Sequence, residues 1–285
     1  MIVVLWTLVS WLAAAPPATA GATPHVAPAK GGVLLEDLTW VEAEKRLTPD
    51  AVVVIPLGAG SKEHGPHLRL KNDFVLAEYL KRRVLTKARV VIAPTVNYSF
   101  YPAFLEYPGS TSLRLETARD LFVDVCRGLS RFGPRRFYVL NTGVSTVRAL
   151  EPAAAILASD GILLRYTDVL ECLEPIEKRV CRQEGGTHAD EAETSMMLYM
   201  SPADVDMRKA VKDYHPGERG LTRDPKKEGF TYSPSGVYGD ATLATREKGK
   251  RITEALVAAI LEEIEALRAA EPPPAPPAAP RLPVS

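Results

Sequence analysis

Short apolar segments of strand length alternate with longer amphipathic segments through the middle of the chain, and this alternation limits the fold more than any other feature. The segment AVVVIPL at 51–57 is apolar and rich in β-branched residues, which is typical of a strand covered on both faces. Similar segments predict further strands at 88–96, 134–143 and 162–170. Helical spacing of apolar residues predicts helices at 73–85, 114–133, 148–161 and 245–270. The order of these segments predicts an α/β domain with a mostly parallel central sheet flanked by helices.

Parallel sheets of this kind carry their functional sites just beyond the carboxyl ends of the strands. The segments that follow Leu57 and Leu140 lie in that position. We therefore expect the candidate site to be built from these two segments.

The overall charge argues against a nucleic-acid partner. The 285-residue chain has 35 Lys and Arg residues against 35 Asp and Glu residues, so its formal net charge is zero. A global basic field is absent, and the sequence contains no P-loop, no G-x-G-x-x-G and no Cys-x-x-Cys pair. The common phosphate, dinucleotide and zinc-ribbon signatures are thereby excluded.

The two ends differ in composition from the rest of the chain. The apolar run at 2–15, followed by ATA at 18–20, predicts a signal peptide over 1–20 and an exported protein, periplasmic or secreted. The alternative is an uncleaved membrane anchor, but the run is shorter than the ~20 residues that span a bilayer, so we expect no stable span after cleavage. A linker at 21–33, a folded domain at 34–270 and a Pro-rich disordered tail at 271–285 complete the predicted organisation.

The three cysteines leave two interpretations open. Cys172 and Cys181 flank LEPIEKRV and would bridge in an oxidising compartment. Unpaired thiols are the alternative, and an odd total leaves at least one thiol free in a monomer.

The segment SKEHGPHLRLKND at 61–73 concentrates side chains that bind metals. The Gly-Pro between His64 and His67 prevents a regular helix, so these side chains can converge on one point. Together with Glu63 and Asp73 they supply the nitrogen and oxygen donors that suit Zn²⁺ or Mn²⁺. The alternative is a polar loop whose histidines form ordinary hydrogen bonds.

A second polar cluster is GGTHADEAETSMML at 185–198. Thr187 and Asp190 resemble a capping box, which predicts that His188 lies in the first turn of a helix. Glu191 would then share the face of His188, whereas Glu193 would point elsewhere.

Several segments taken together resemble the creatininase (creatinine amidohydrolase) family. They are IPLGAGSKEHGPHLRLKNDFVLAE, YPGSTSL, LNTGVST, GGTHADEAETSMML and SGVYGDATLATREKGKRI, in the family's order. The resemblance spans roughly residues 34–265 and implies an α/β fold of three layers, usually assembled as a homohexamer. It also implies hydrolysis of C–N amide bonds by a water that bridges two divalent metals.

The resemblance carries over only in part. The histidine and bridging aspartate of the first motif match His64 and Asp73, but the family's first glutamate position is Lys62. The family's later histidine and acid ligand positions are Gly143 and Ser145. The resemblance, corrected for these losses, implies at most one divalent metal per subunit, Zn or Mn, or none.

The resulting prediction is an amidohydrolase acting on a small-molecule amide through a degenerate metal site. We assign catalytic roles to His188, Glu193 and Lys62, metal binding to His64, Asp73 and Glu63, and substrate binding to His67, Ser145 and Tyr101. The Lys62 ammonium is expected to pair with Asp73 and to replace the first metal of the family. The alternatives are a metal-free hydrolase using Lys62 and a non-catalytic binding or structural relative.

Overall fold

A computed structural model of the chain describes residues 31–216 and 220–275. The predicted signal peptide, most of the predicted linker and the end of the Pro-rich tail lie outside the described residues. Within them, the first strand begins at Val33, one residue before the predicted start of the domain. Among the helices described, none combines the length and the apolar character that a membrane crossing requires.

The central sheet has five strands, all parallel. They are β1 (Val33–Leu34), β2 (Val52–Leu57), β3 (Val91–Ile92), β4 (Arg136–Asn141) and β5 (Leu163–Tyr166), arranged in the order β1-β3-β2-β4-β5. Strand β2 is central and all six of its residues are buried, as its uninterrupted apolar sequence predicts.

Helices cover both faces of the sheet, so the predicted α/β fold with a parallel sheet is confirmed. The flanking helices are α1 (Trp40–Glu44), α2 (Asn72–Lys87), α3 (Leu115–Ser130), α4 (Val147–Ser159), α5 (Val169–Val180), α6 (Glu191–Met200) and α7 (Arg246–Ala269). Alternate residues of β2 point to opposite layers: Val52 and Val54 pack with α2, α5 and α7, and Val53 and Ile55 pack with α3 and α4. The fold therefore has three layers and two apolar cores.

Two short strand pairs are separate from the central sheet. They are β6 (Lys212–Asp213) with β9 (Gly239–Asp240), and β7 (Leu221–Thr222) with β8 (Thr231–Tyr232). Sequence periodicity does not predict them, because each strand has only two residues.

The predicted strand at 88–96 was too long. Only Val91–Ile92 is strand, because Pro94 lacks the N–H that a ladder requires. The chain still runs beside β2, since the backbone N–H of Val96 donates to the carbonyl oxygen of Pro56 at 2.9 Å.

The predicted strand at 162–170 was also too long, and the helix after it was missed. Strand β5 ends at Tyr166, and the Asp168 carboxylate accepts a hydrogen bond from the Leu170 N–H, which starts α5. Helix α5 contains Pro175, which obscured its helical pattern.

Of the two interpretations of Cys172 and Cys181, the structure supports unpaired thiols. Cys172 lies in the first turn of α5 and Cys181 caps the end of that helix, and neither is bridged. Nine residues of helix separate their backbones by roughly 13 Å at 1.5 Å per residue, beyond the reach of a disulfide.

Candidate active site

The candidate site lies where the sequence places it, beyond the carboxyl ends of β2 and β4. After β2 the chain approaches the start of α2 so closely that a Cβ at Gly58 would collide with the Asp73 carbonyl. After β4 the Asn141 side chain stabilises the turn, because its amide donates to the Gly143 carbonyl at 2.7 Å and accepts from the Thr146 hydroxyl at 2.6 Å.

The predicted ion pair between Lys62 and Asp73 is present. Nζ of Lys62 lies 2.6 Å from Oδ2 of Asp73, and the two side chains are 6% and 1% exposed. The ammonium also lies over the Phe104 ring, 4.8 Å from its centre. Burial alone would raise the pKa of Asp73, but the charges of Lys62 and His64 lower it. Lys62 is thus held as a buried cation.

Both ring nitrogens of His64 face hydrogen-bond acceptors. Its Nδ1 donates to the carbonyl of Lys62 at 2.9 Å, and its Nε2 lies 2.7 Å from Oδ1 of Asp73 and 3.3 Å from Oε1 of Glu193. Burial alone would lower its pKa, but the neighbouring carboxylates raise it to about 9. Because both ring nitrogens face groups that only accept, His64 is an imidazolium in this state.

His188 lies 5.0 Å from His64, measured between the ring centres, and has one free nitrogen. Its Nε2 donates to the carbonyl of Glu63 at 3.0 Å and lies 3.1 Å from the Glu63 carboxylate. Its Nδ1 lies 3.8 Å from Oε2 of Glu193. The sequence predicted that Glu63 joins His64 and Asp73 in binding a metal, but in the structure its carboxylate contacts His188 instead.

The prediction that His188 lies in the first turn of a helix was wrong. Helix α6 begins at Glu191 with Asp190 as its cap, and His188 precedes it in an extended segment that bridges Tyr238. Ala189, between them, adopts a positive φ of 48°, a strained conformation that sets His188 apart from the helix.

The later start of α6 reverses the predicted facing of its glutamates. Glu193 points into the site, where its carboxylate accepts from Asn72 at 2.8 Å and from the Ala189 N–H at 2.7 Å. Burial alone would raise the pKa of Glu193, but the His64 charge holds it well below its usual value. Glu191 instead points away from the site, and its carboxylate accepts hydrogen bonds from the backbone N–H groups of Arg182 and Gln183.

Three of these side chains form a group that fits one divalent metal. One donor atom each from His64, His188 and Glu193 lies within 4.8 Å of the others. The other ring nitrogen of each histidine is held by an acceptor: Nδ1 of His64 by the Lys62 carbonyl, and Nε2 of His188 by Glu63. Such a second contact is usual for metal-binding histidines. Two imidazoles and a carboxylate are a common zinc set. Binding a metal requires His64 to lose its Nε2 proton.

The structure has other groups at the three positions where the resemblance places the remaining metal ligands. Lys62 supplies a cation instead of a donor, Gly143 has no side chain, and the Ser145 hydroxyl donates to the Phe100 carbonyl at 3.0 Å. A Cβ at Gly143 would lie 3.1 Å from Thr146 and 3.5 Å from Tyr101.

Of the three predicted substrate-binding residues, only Ser145 lines the cavity at the site. Tyr101 is 2% exposed and packs with Phe104 and Tyr107 beneath Lys62. His67 is buried, its Nε2 forms a hydrogen bond with the Thr194 hydroxyl at 2.7 Å, and burial lowers its pKa to about 4, so it is neutral.

The cavity has a volume of about 270 Å³ and reaches residues that sequence reasoning missed. Lys62, His188 and Glu193 line it together with Phe104, and so do Asp190 and Glu177. Glu177 carried no sequence signal, because only the packing of α5 against the sheet brings it to the site.

Comparison with known proteins gives a consistent result. The family model described as creatinine amidohydrolase matches residues 36–264. The chain is 29% identical to the creatinine amidohydrolase of Pseudomonas putida over 264 residues, which cover 85% of this chain and 98% of the relative. It is 30% identical to the mycofactocin precursor peptide peptidase of Mycobacterium tuberculosis over 220 residues, 72% of this chain and 81% of the relative.

Solved structures agree with this result. A structure titled "Creatininase Mn" superposes with a TM-score of 0.70 at 26% identity, covering 84% of this chain and all of that one. Residues 36–264, which the family model matches, contain the polar clusters at 61–73 and 185–198 and every strand of the central sheet except β1. The chain belongs to the creatininase family.

Proposed function

We propose that this chain hydrolyses a C–N bond of a small amide or cyclic amide with a single divalent metal held by His64, His188 and Glu193. The observation that carries the proposal is the pair of histidines whose second nitrogens are fixed, so that their remaining nitrogens face Glu193. The names of the relatives, an amidohydrolase and a peptidase, support a C–N bond as the target.

A Zn²⁺ or Mn²⁺ bound there would polarise the amide carbonyl and lower the pKa of a coordinated water. Lys62 lines the same cavity with an ammonium fixed by Asp73. A fixed cation in a water-poor site stabilises negative charge that develops on the carbonyl oxygen, because no reorganisation is needed. Lys62 thereby takes the electrostatic role of the family's first metal.

One observation favours a second candidate, a non-catalytic binder. The cations Lys62 and His64 balance the anions Asp73 and Glu193. These four side chains are therefore neutral as a group without any metal, and the cavity would still hold a small amide.

Metal loading followed by a hydrolysis assay separates the candidates. Protein stripped with a chelator and reloaded with Zn²⁺ or Mn²⁺ is expected to hold one ion per subunit and to open creatinine or cleave simple N-alkyl amides, detected by mass spectrometry. Glu193→Gln should lower both metal content and rate by at least about tenfold. Glu184→Gln, whose side chain is 68% exposed, is the control.

Each alternative has its own signature in this assay. Hydrolysis that survives complete metal removal would support the Lys62-based mechanism. Amide binding without hydrolysis in any metal form would support the binder and refute the proposal.

We also propose a homo-oligomer, since the family resemblance implies one. Light scattering on the purified protein tests this, and a monomeric mass at working concentration would refute it.

A further inference from the structure

The cavity at the candidate site extends beyond the metal-binding group to a carboxylate that the proposed mechanism does not use. Glu177 of α5 lines this cavity together with Lys62, His188 and Glu193. Asp190 connects the two regions: it lines the cavity and caps α6 beside Glu193, and its charge acts on Glu177.

The Glu177 side chain forms no hydrogen bond and no ion pair within the part of the chain that the structure describes. Burial, followed by the negative charge of Asp190, raises its pKa to about 7. No cation offsets these effects. The nearest basic residue along the helix, Lys178, is paired with Glu174 at 2.6 Å on the exposed side.

The surroundings of Glu177 make an unpaired carboxylate costly. The neighbouring walls are largely apolar, with Leu76, Leu173 and Met196 in the same cavity lining. Asp190 cannot donate to Glu177 as a carboxylate, and its own oxygens are occupied by Gln183 Nε2 at 2.6 Å and the Glu193 N–H at 2.9 Å. Glu177 is half-buried, and a charge that is partly removed from water without a partner is unfavourable, so a ligand that brings a cation lowers this cost.

We propose that Glu177 is a specificity residue that binds a cationic group, an ammonium or a guanidinium, on a substrate whose amide lies at the metal-binding group. This inference rests on the proposed function for the position of the amide. The Glu177 carboxyl group lines this part of the cavity without a partner of its own, so a bound cation would pair with it and favour its ionised form, whereas a carboxylate would not. The substrate class is therefore a small amide with a basic substituent.

A length series of ω-amino amides tests the proposal by binding alone. Amides from 3-aminopropanamide to 6-aminohexanamide are each compared, by calorimetry on the metal-loaded protein, with the uncharged alkanamide in which a methyl group replaces the ammonium. At the length that fits, the amine should bind at least about tenfold more tightly, as expected for a charge-assisted hydrogen bond. Glu177→Gln should reduce this preference to about threefold or less, and Glu174→Gln, whose side chain is 62% exposed, should retain it.

Two results would overturn the proposal: no length in the series favours the amine, or the preference survives Glu177→Gln. Because the readout is binding, failure of the proposed function is separate. A protein that prefers the amine but hydrolyses no amide keeps the cation site and loses the hydrolase assignment. The melting temperature of each variant, measured in parallel, distinguishes loss of the site from loss of the fold.

Discussion

Replacing Lys62 with methionine tests how much the buried ion pair with Asp73 contributes. The substitution keeps most of the side-chain volume and removes the charge, which leaves Asp73, 1% exposed, without its nearest cation. Two unit charges about 4 Å apart interact by about 4 kcal/mol at an effective dielectric constant of 20. Removing one partner of a buried pair costs about 3–5 kcal/mol.

We expect the lower end of that range, about 3 kcal/mol, because the imidazolium of His64 still neutralises part of the Asp73 charge. Urea unfolding at pH 7, followed by circular dichroism, measures the loss in the free energy of unfolding. Lys178→Met is the matched control, since that lysine is 71% exposed and should change stability by less than about 0.5 kcal/mol.

The pH dependence of this loss has a definite sign. The pKa of Asp73 lies below its ordinary value of 3.8, so the pair contributes stability above that value and loses it as the pH falls through the folded-state pKa. Without Lys62 the pKa of Asp73 rises, and the penalty should be largest near pH 7 and shrink towards pH 4.

The double variant Lys62→Met/Asp73→Asn decides whether charge is the cause. It should recover most of the stability, because both charges are gone and only hydrogen bonds are lost. A loss below about 1 kcal/mol in Lys62→Met, or a double variant no more stable than the single one, would refute the reasoning.

Three further predictions concern the backbone, the proton that competes with the metal, and the N-terminus. In urea unfolding, Gly58→Ala should destabilise the fold by more than about 3 kcal/mol, because the added Cβ would collide with the Asp73 carbonyl. The control is Gly128→Ala, which lies in α3 with open space around it and should stabilise the fold by about 0.5–1 kcal/mol. The raised pKa of His64 contributes stability to the metal-free protein that is fully present below pH 6.5, the ordinary pKa of histidine, and is lost as the pH rises through about 9. Over the same interval, the zinc affinity measured by calorimetry should rise, because His64 must lose a proton to bind the metal. A zinc affinity that does not change with pH would argue against His64 as a ligand. Mass spectrometry of the native protein should find residues 1–20 removed, and an intact Met1 would contradict export.

The fold class follows from the sequence because its cause is local. Residues 51–57 are apolar throughout, which is typical of a strand covered on both faces, and Val52–Leu57 form such a strand with all six residues buried. Helices α2, α3, α4 and α7 were predicted for the same reason, and α2 and α3, for example, bury the residues that helical spacing places on one face. Elements shorter than one period, such as the two-residue strands β6 to β9, carry no such signal.

Most of the side chains at the candidate site were also identified from the sequence, including Lys62 and its ion pair with Asp73. The sequence did not show which of these side chains contact one another. Whether Glu191 or Glu193 faces His188 depends on where α6 begins, and that depends on Ala189 adopting a left-handed conformation that no spacing rule predicts.

Tertiary structure alone decided which atoms meet. Glu63 turns to His188 instead of joining His64, and Tyr101 lies beneath Lys62 instead of lining the cavity. Glu177 reaches the same cavity from a helix that sequence reasoning did not predict. The physical reason is common to all three: a sequence determines which residues must be buried, whereas the packing of helices against the sheet determines which polar groups share the buried space.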